Sequence, residues 1–189
     1  MQASDEATNR GSAVRAFTKQ YPRCHLMSST ASGVFPTLRL KKGQERRAMY
    51  GHLWIYSNEI DTKKYPLTGY IPGQVINVET SEGRWVGNGY VNPHSLIAVR
   101  LVSRDREKPF TDKLLATRLS VAAAHRDRMF ERPFYRLVYG ESDFLPGLVI
   151  DRFGDNFVVQ INTTGMESKK DAIVESLQSL FGALSLIHI

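Results

Sequence analysis

The sequence predicts an α+β chain in which a small, strand-rich barrel is followed by a small α+β domain. Three observations carry this prediction. Between residues 37 and 103 short apolar and aromatic segments recur at close spacing between turn residues, a pattern that favours a compact barrel over a sheet with crossover helices. From residue 112 to 181 the order changes to helix, strands, helix. Charge separates the two halves: residues 36–136 hold 18 Lys and Arg against 10 Asp and Glu, whereas residues 137–189 hold 3 against 7. The predicted organisation is a leader over 1–35, a first domain over 36–107, a second over 108–182 and a tail over 183–189.

The leader is rich in Ser, Thr and Ala without apolar periodicity and is expected to be disordered. Arg10, Arg15, Lys19 and Arg23 among hydroxyl residues would suit an organelle transit peptide, but Asp5 and Glu6 count against one. An unstructured extension, or sequence upstream of a start at Met27, fits better. Cys24 is the single cysteine, so an intramolecular disulfide is excluded and a reducing compartment is expected. The barrel begins with a short strand, TLRL (37–40), followed by KKGQERRAMYGH (41–52), a turn glycine and a basic helical stretch. In LWIYS (53–57), Trp54 and Tyr56 alternate as residues on one strand face do; exposed, they could stack on an unpaired base, but Trp54 is expected to be buried. Val75, Ile76 and Val78 precede a turn at Glu82 and Gly83, and Trp85 and Val86 resume a strand. GNG (87–89) reads as a turn or bulge, because no helix opens after it to present N–H groups to a cofactor. SLIAVRLVS (95–103) breaks alternation and is expected to be buried on both faces or bulged.

Pro109 ends the charged hinge RDREKPFT (104–111), and Thr111 can cap the next helix. That helix is predicted from Asp112 to Arg132, with Leu114, Leu115, Leu119, Val121, Ala122 and Met129 inward, Arg126, Asp127 and Arg128 on the polar side, and Pro133 as its stop. FYRLVYGE (134–141) starts a strand, LPG makes a turn, LVIDRFGDN runs to a Gly-Asp turn and FVVQIN returns antiparallel. Residues 166–181 form an amphipathic helix with Ile173, Val174, Leu177, Leu180 and Phe181 inward. ALSLIHI (183–189) follows this helix and reads as a tail, explained by truncation or added sequence better than by a native terminus.

The basic excess points the first domain towards a polyanion, because phosphate neutralisation drives nucleic-acid binding. Candidate RNA contacts are Arg39, Lys41, Lys42, Gly43, Arg46 and Arg47: the glycine allows close backbone approach, and the cations suit phosphates. The acids of GESDFLPGLVIDRFGD (140–155) could serve general acid and base chemistry or an Mg²⁺ or Ca²⁺ site, but calcium-loop spacing is missing. They are assigned to structure instead, as a signature made of Gly140, Glu141, Ser142, Asp143, Pro146, Gly147, Asp151 and Arg152, in which Asp143 and Arg152 pin the turn. His52, His94 and His125 are isolated, so neither a metal site nor catalysis is assigned to them. Apolar runs are too short to span a bilayer, and a soluble, cytoplasmic protein is expected ahead of an organellar one.

Four blocks in fixed order, namely residues 35–60, 83–105, HRDR (125–128) and 140–155, carry a family resemblance. The chain resembles the class I S-adenosylmethionine-dependent methyltransferases that carry an N-terminal PUA domain and modify C5 of a cytosine in large-subunit rRNA, and the likeness covers roughly residues 36–182. It implies a PUA-like barrel, an α+β linker domain, rRNA as partner and S-adenosylmethionine as cofactor of the full-length member. The glycine-rich cofactor loop and the nucleophilic cysteine of such enzymes are not found in their expected settings, so the Rossmann-like methyltransferase domain is expected to be absent, and this chain alone to bind no cofactor and be inactive. An independent PUA-type RNA-binding module without chemistry remains the alternative.

Overall fold

In the computed structural model, which describes residues 35–182 and 185–188, the first half of the chain forms one curled sheet. Its strands are β1 (Thr37–Arg39), β2 (Trp54–Tyr56), β3 (Val75–Glu79), β4 (Trp85–Val91) and β5 (Ile97–Ser103), in the order β1-β3-β4-β5-β2. β1 runs parallel to β3, and the remaining pairs are antiparallel. The two edges meet beyond their strands. Leu40 bridges Ile60, the Lys41 N–H donates to the Glu59 carbonyl at 2.8 Å, and the Asp61 N–H donates to the Arg39 carbonyl at 3.1 Å. This seam closes the sheet into a barrel and satisfies groups that an open edge would leave to water. Period-2 alternation in β3 turns Ile76 and Val78 inward, where they pack with Leu38, Ile55, Val99 and Leu101.

GNG sits at a bulge. The β4–β5 register shifts between Asn88 and Gly89, and a Cβ on Gly89 would lie 2.0 Å from the Arg100 carbonyl oxygen. Asn88, fully buried, donates from Nδ2 to the Ile76 carbonyl and to Asn77 Oδ1, both at 3.0 Å, and accepts the Phe110 N–H at 2.7 Å. Every polar atom of this amide is therefore used, and one bond reaches the segment that leads into the second half.

That half comprises α2 (Asp112–Asp127), β6 (Phe134–Tyr139), β7 (Leu148–Phe153), β8 (Asn156–Ile161), the single turn α3 (Thr164–Glu167), α4 (Lys170–Phe181) and β9 (Ser185–His188). The sheet order is β6-β7-β8-β9, with β9 parallel to β8 and the others antiparallel. Thr111 caps α2, accepting the Leu114 N–H at 3.3 Å. Leu115, Leu119, Ala122 and Ala123 of α2 and Ile173 and Leu177 of α4 pack with Leu137, Leu148, Ile150 and Phe157 of the sheet.

Three expectations change. α2 ends at Asp127 rather than at 132, and Val121 and Met129 are exposed, because the stripe through Leu115, Leu119 and Ala122 already covers the sheet and Val121 lies about 100° around the helix from Ala122. Leu180 of α4 is also exposed. Residues 185–188, within the segment read as a tail, supply the parallel strand of this sheet, reached from β8 through α4 as parallel pairing requires. The leader, with Cys24 and Met27, lies outside the described residues.

The barrel and the second half share a buried tyrosine. Tyr90 of β4 packs in the second core, donates its hydroxyl to the Pro146 carbonyl at 2.6 Å and pairs with Thr163 Oγ1 at 2.9 Å. Burial pushes its phenol up to about 12. Gly165 is glycine because a Cβ there would lie 2.2 Å from the Tyr90 ring.

Candidate nucleic-acid interface

The predicted basic residues succeed one another along the barrel seam and are not equivalent. Arg39 Nε donates to Glu79 Oε2 at 3.0 Å, Lys41 Nζ to the Asn58 carbonyl at 2.7 Å, and Arg47 Nη1 to Glu59 Oε1 at 3.3 Å. These three cations are held by the barrel, and Arg47 also lies 5.0 Å from the Tyr56 ring centre. Lys42 and Arg46 are exposed, on either side of Gly43, whose φ of 81° makes the turn that projects the loop. Arg46 belongs to the one-turn helix α1 (Arg46–Met49), whose buried residue is Ala48.

From α1 the chain passes through Tyr50, 87% exposed, and Gly51, at φ 110°, into a cleft of about 350 Å³. One wall is residues 51–54; the other is Glu141, Ser142 and Phe144 of the signature. The sequence motifs that seemed separate, the basic stretch and GESDF, therefore meet here. Trp54 is 37% exposed rather than buried: it stands on the outward face of β2, beside inward Ile55, and its indole N–H donates to Glu141 Oε1 at 2.7 Å. A three-residue strand at the barrel edge leaves one face uncovered, and the signature covers only part of it.

The signature holds this wall in place. Gly140 to Asp143 form a short 3₁₀ turn, and the chain leaves it through Phe144 at φ 57°, ψ 26°, the one non-glycine residue at positive φ among the described residues. The Phe144 side chain is 56% exposed. Arg118 of α2 donates from Nη1 to the Phe144 carbonyl and sets its guanidinium carbon 5.6 Å from the ring centre. Burial pushes the Arg118 guanidinium down to about 10, which leaves it a cation at neutral pH. Arg104, whose pKa burial also lowers, donates to the His52 carbonyl at 3.2 Å. Phe144, Arg118 and Arg104 were not among the sequence candidates. Left-handed backbone at a phenylalanine leaves no mark in the sequence, and the two arginines reach the cleft only through tertiary packing.

Asp143 and Arg152, expected to pin the turn, hold different parts of the chain. Asp143 accepts from Arg126 Nη2 at 2.7 Å and from the Tyr139 N–H at 2.6 Å. Arg152 lies across the β6–β7 pair, donating to the Tyr135 hydroxyl at 2.8 Å and the Gly154 carbonyl at 3.0 Å, with its guanidinium carbon 4.4 Å from the Phe181 ring centre. The reason is strand geometry: Asp143 lies just beyond the C-terminal end of β6, whereas Arg152 pairs with Tyr135 near the opposite end of the β6–β7 ladder. Asp151 forms a bidentate pair with Arg136, at 2.8 and 3.1 Å. Pro146 and Gly147 dock on the barrel side, Pro146 through Tyr90 and Gly147 so close to Thr163 that a Cβ would lie 2.4 Å from its methyl carbon. Ser142 is exposed at the cleft.

Glu141, Asp143 and Asp151 each have a partner, and among the described residues no cluster of three or more His, Cys, Asp or Glu is placed to hold a metal ion. The GNG glycines face neighbouring strand backbone: a Cβ on Gly87 would lie 2.8 Å from the Ser103 carbonyl oxygen, and one on Gly89 2.0 Å from that of Arg100. No helix among the described residues is long and apolar enough to cross a membrane.

Comparison with known proteins bears on the same surface. Residues 38–104 match the PUA-like domain family. The chain is similar to Ribosomal RNA large subunit methyltransferase I of Klebsiella pneumoniae, 36% identical over 151 residues covering 78% of this chain and 37% of that protein. It is likewise 36% identical over 149 residues to the protein of that name from Shewanella denitrificans, covering 76% and 36%. The chain thus spans less than two fifths of the curated relatives it matches. Two solved chains, one described as a methyltransferase complexed with SAH and one as a SAM-dependent methyltransferase from Streptococcus mutans, superpose at a TM-score of 0.66 and 15% identity, over 80% and 81% of this chain and 40% of each of those chains. These likenesses correct the expected fold class: four fifths of the chain superposes on two fifths of each methyltransferase chain, so the expectation that the methyltransferase fold is absent does not stand. The expectation rested on not finding a glycine-rich loop and a nucleophilic cysteine in their expected settings, which are sequence signals of the site and not of the fold.

Proposed function

We propose that this chain, a relative of the Ribosomal RNA large subunit methyltransferase I proteins, is the N-terminal, RNA-binding portion of an S-adenosylmethionine-dependent enzyme that methylates C5 of a cytosine in large-subunit rRNA. The observation that carries the reading is the coincidence of the PUA-like match with the projecting loop 41–47, where Lys42 and Arg46 are exposed around a left-handed glycine. Arg39, Lys41 and Arg47 shape that loop from beneath, and Lys42 and Arg46 reach for phosphates. Backbone contacts of this kind position an RNA without reading it. In such an enzyme S-adenosylmethionine supplies the methyl group. The barrel's part is to orient the RNA, and the second half is tied to it through Asn88 and Tyr90, which fixes the two relative to each other. The lone cysteine supports a reducing, cytoplasmic setting.

The test is binding of a large-subunit rRNA fragment by fluorescence anisotropy across salt concentrations. The reading expects log K to fall linearly with log salt, and Lys42→Ala and Arg46→Ala each to flatten the slope by about 0.7 to 0.9. A salt-independent affinity, or variants that leave the slope unchanged, would refute it.

A further inference from the structure

Resting on the RNA-binding reading above, we propose that the cleft between β2 and the signature turn is a slot for one unpaired RNA base that carries an exocyclic amino group. Three features converge on it. First, a phenylalanine occupies a backbone conformation that disfavours any side chain with a Cβ, and it is left more than half exposed. Glycine would remove the strain, so the structure retains an aromatic ring here against its backbone preference. Second, another aromatic surface, Trp54, lines the same cleft, partly exposed and fixed in orientation by its bond to Glu141. Paired aromatic walls bind unstacked bases through their π-faces, whatever the sequence.

Third, charge selects the occupant. Arg118 and Arg104 flank the cleft, and the basic loop lies immediately upstream along the chain, so RNA is drawn towards the site. Inside the cleft the carboxylate of Glu141 repels a phosphate and accepts from donors. A carboxylate offers about four acceptor positions, of which the indole N–H takes one. The amino groups of cytosine, adenine and guanine are donors that suit the remainder, whereas uracil presents none on an exocyclic nitrogen. Loop phosphates and a splayed base would then be held by adjoining surfaces, and duplex RNA would use the first alone.

The experiment measures anisotropy of labelled oligocytidine, oligouridine and a perfect RNA hairpin against the whole chain and its variants Phe144→Gly and Glu141→Gln, with tryptophan fluorescence recorded in parallel. Phe144→Gly suits the left-handed backbone and is expected to fold with an unchanged or higher Tm. Oligocytidine binding is expected to weaken by about tenfold in that variant, with hairpin affinity unchanged. Glu141→Gln keeps an acceptor for Trp54 and is expected to reduce the preference for oligocytidine over oligouridine. Oligocytidine should quench the tryptophan emission of the unmodified chain, and the hairpin should not. Undiminished oligocytidine affinity in Phe144→Gly, or equal affinity for oligocytidine and oligouridine in the unmodified chain, overturns the slot while leaving the RNA reading intact. Failure of the unmodified chain to bind any of the three RNAs overturns both.

Discussion

Replacing Asp143 with alanine tests how the signature supports the cleft. The Arg126–Asp143 pair is short, at 2.7 Å, and nearly buried, with the two side chains 14% and 11% exposed. Removing one member of a fully buried pair costs about 3–5 kcal/mol, because the other charge is left without a partner. The residual exposure of both groups lets water compensate in part, so we expect a loss of about 2–3 kcal/mol. In a chain of this size that corresponds to a fall in Tm of roughly 5–10 °C. Urea unfolding followed by tryptophan fluorescence supplies the number, with an unchanged m-value as the check that the unfolding reaction is the same. A double-mutant cycle of Asp143→Ala with Arg126→Ala is expected to show a coupling of about 1–3 kcal/mol, and the cycle with Arg152→Ala a coupling near zero. A loss below about 0.5 kcal/mol for Asp143→Ala, or stronger coupling to Arg152 than to Arg126, would refute the reasoning.

Gly89→Ala must push the β4–β5 ladder apart at the bulge and is expected to cost more than about 3 kcal/mol, read as a loss of soluble folded protein or a large fall in Tm. Tyr90→Phe leaves the buried Pro146 carbonyl without its hydroxyl donor and is expected to cost about 1–3 kcal/mol in urea unfolding. The same variant reports on pH. Tyr90 has its folded pKa raised from 10 to about 12, so its contribution is fully present below pH 10 and is lost as pH rises towards 12. Stability of the unmodified chain minus that of Tyr90→Phe should therefore shrink across that window, by up to about 2–3 kcal/mol. Taking the difference removes Arg118, whose lowered pKa acts in the opposite sense over the same range. Trp54→Phe breaks an exposed bond to Glu141 and is expected to change stability by less than about 1 kcal/mol while abolishing the fluorescence response to unpaired RNA.

Strand placement was legible wherever alternation and turn chemistry agreed, as in β3 and in the turn at Gly83, and the Thr111 cap followed from residue type alone. The GNG bulge was legible as well, because glycines without a following helix have few other roles. Legibility failed where tertiary packing decided the outcome. Trp54 is large and apolar, which favours burial, yet it sits at the edge of a short strand whose outer face is covered only by residues 87 positions away. Asp143 and Arg152 are close in sequence and were expected to pin one turn, but strand pairing separates them: Asp143 holds the Tyr139 N–H and a helix arginine, and Arg152 the Gly154 carbonyl. The basic loop was found as a cluster, though its division into three held cations and two projecting ones depends on Glu59, Glu79 and the Asn58 carbonyl, which sequence spacing does not relate to it.

The central claim is that RNA meets the chain along loop 41–47 and the adjoining cleft. Amide hydrogen exchange with and without a large-subunit rRNA fragment tests it most directly, since it maps the footprint on the intact chain without substitution. The account predicts slowed exchange over residues 41–54 and 140–145, with β7 and β8 unchanged. Protection confined to the strands of the second sheet, with 41–54 exchanging as in free protein, would contradict it.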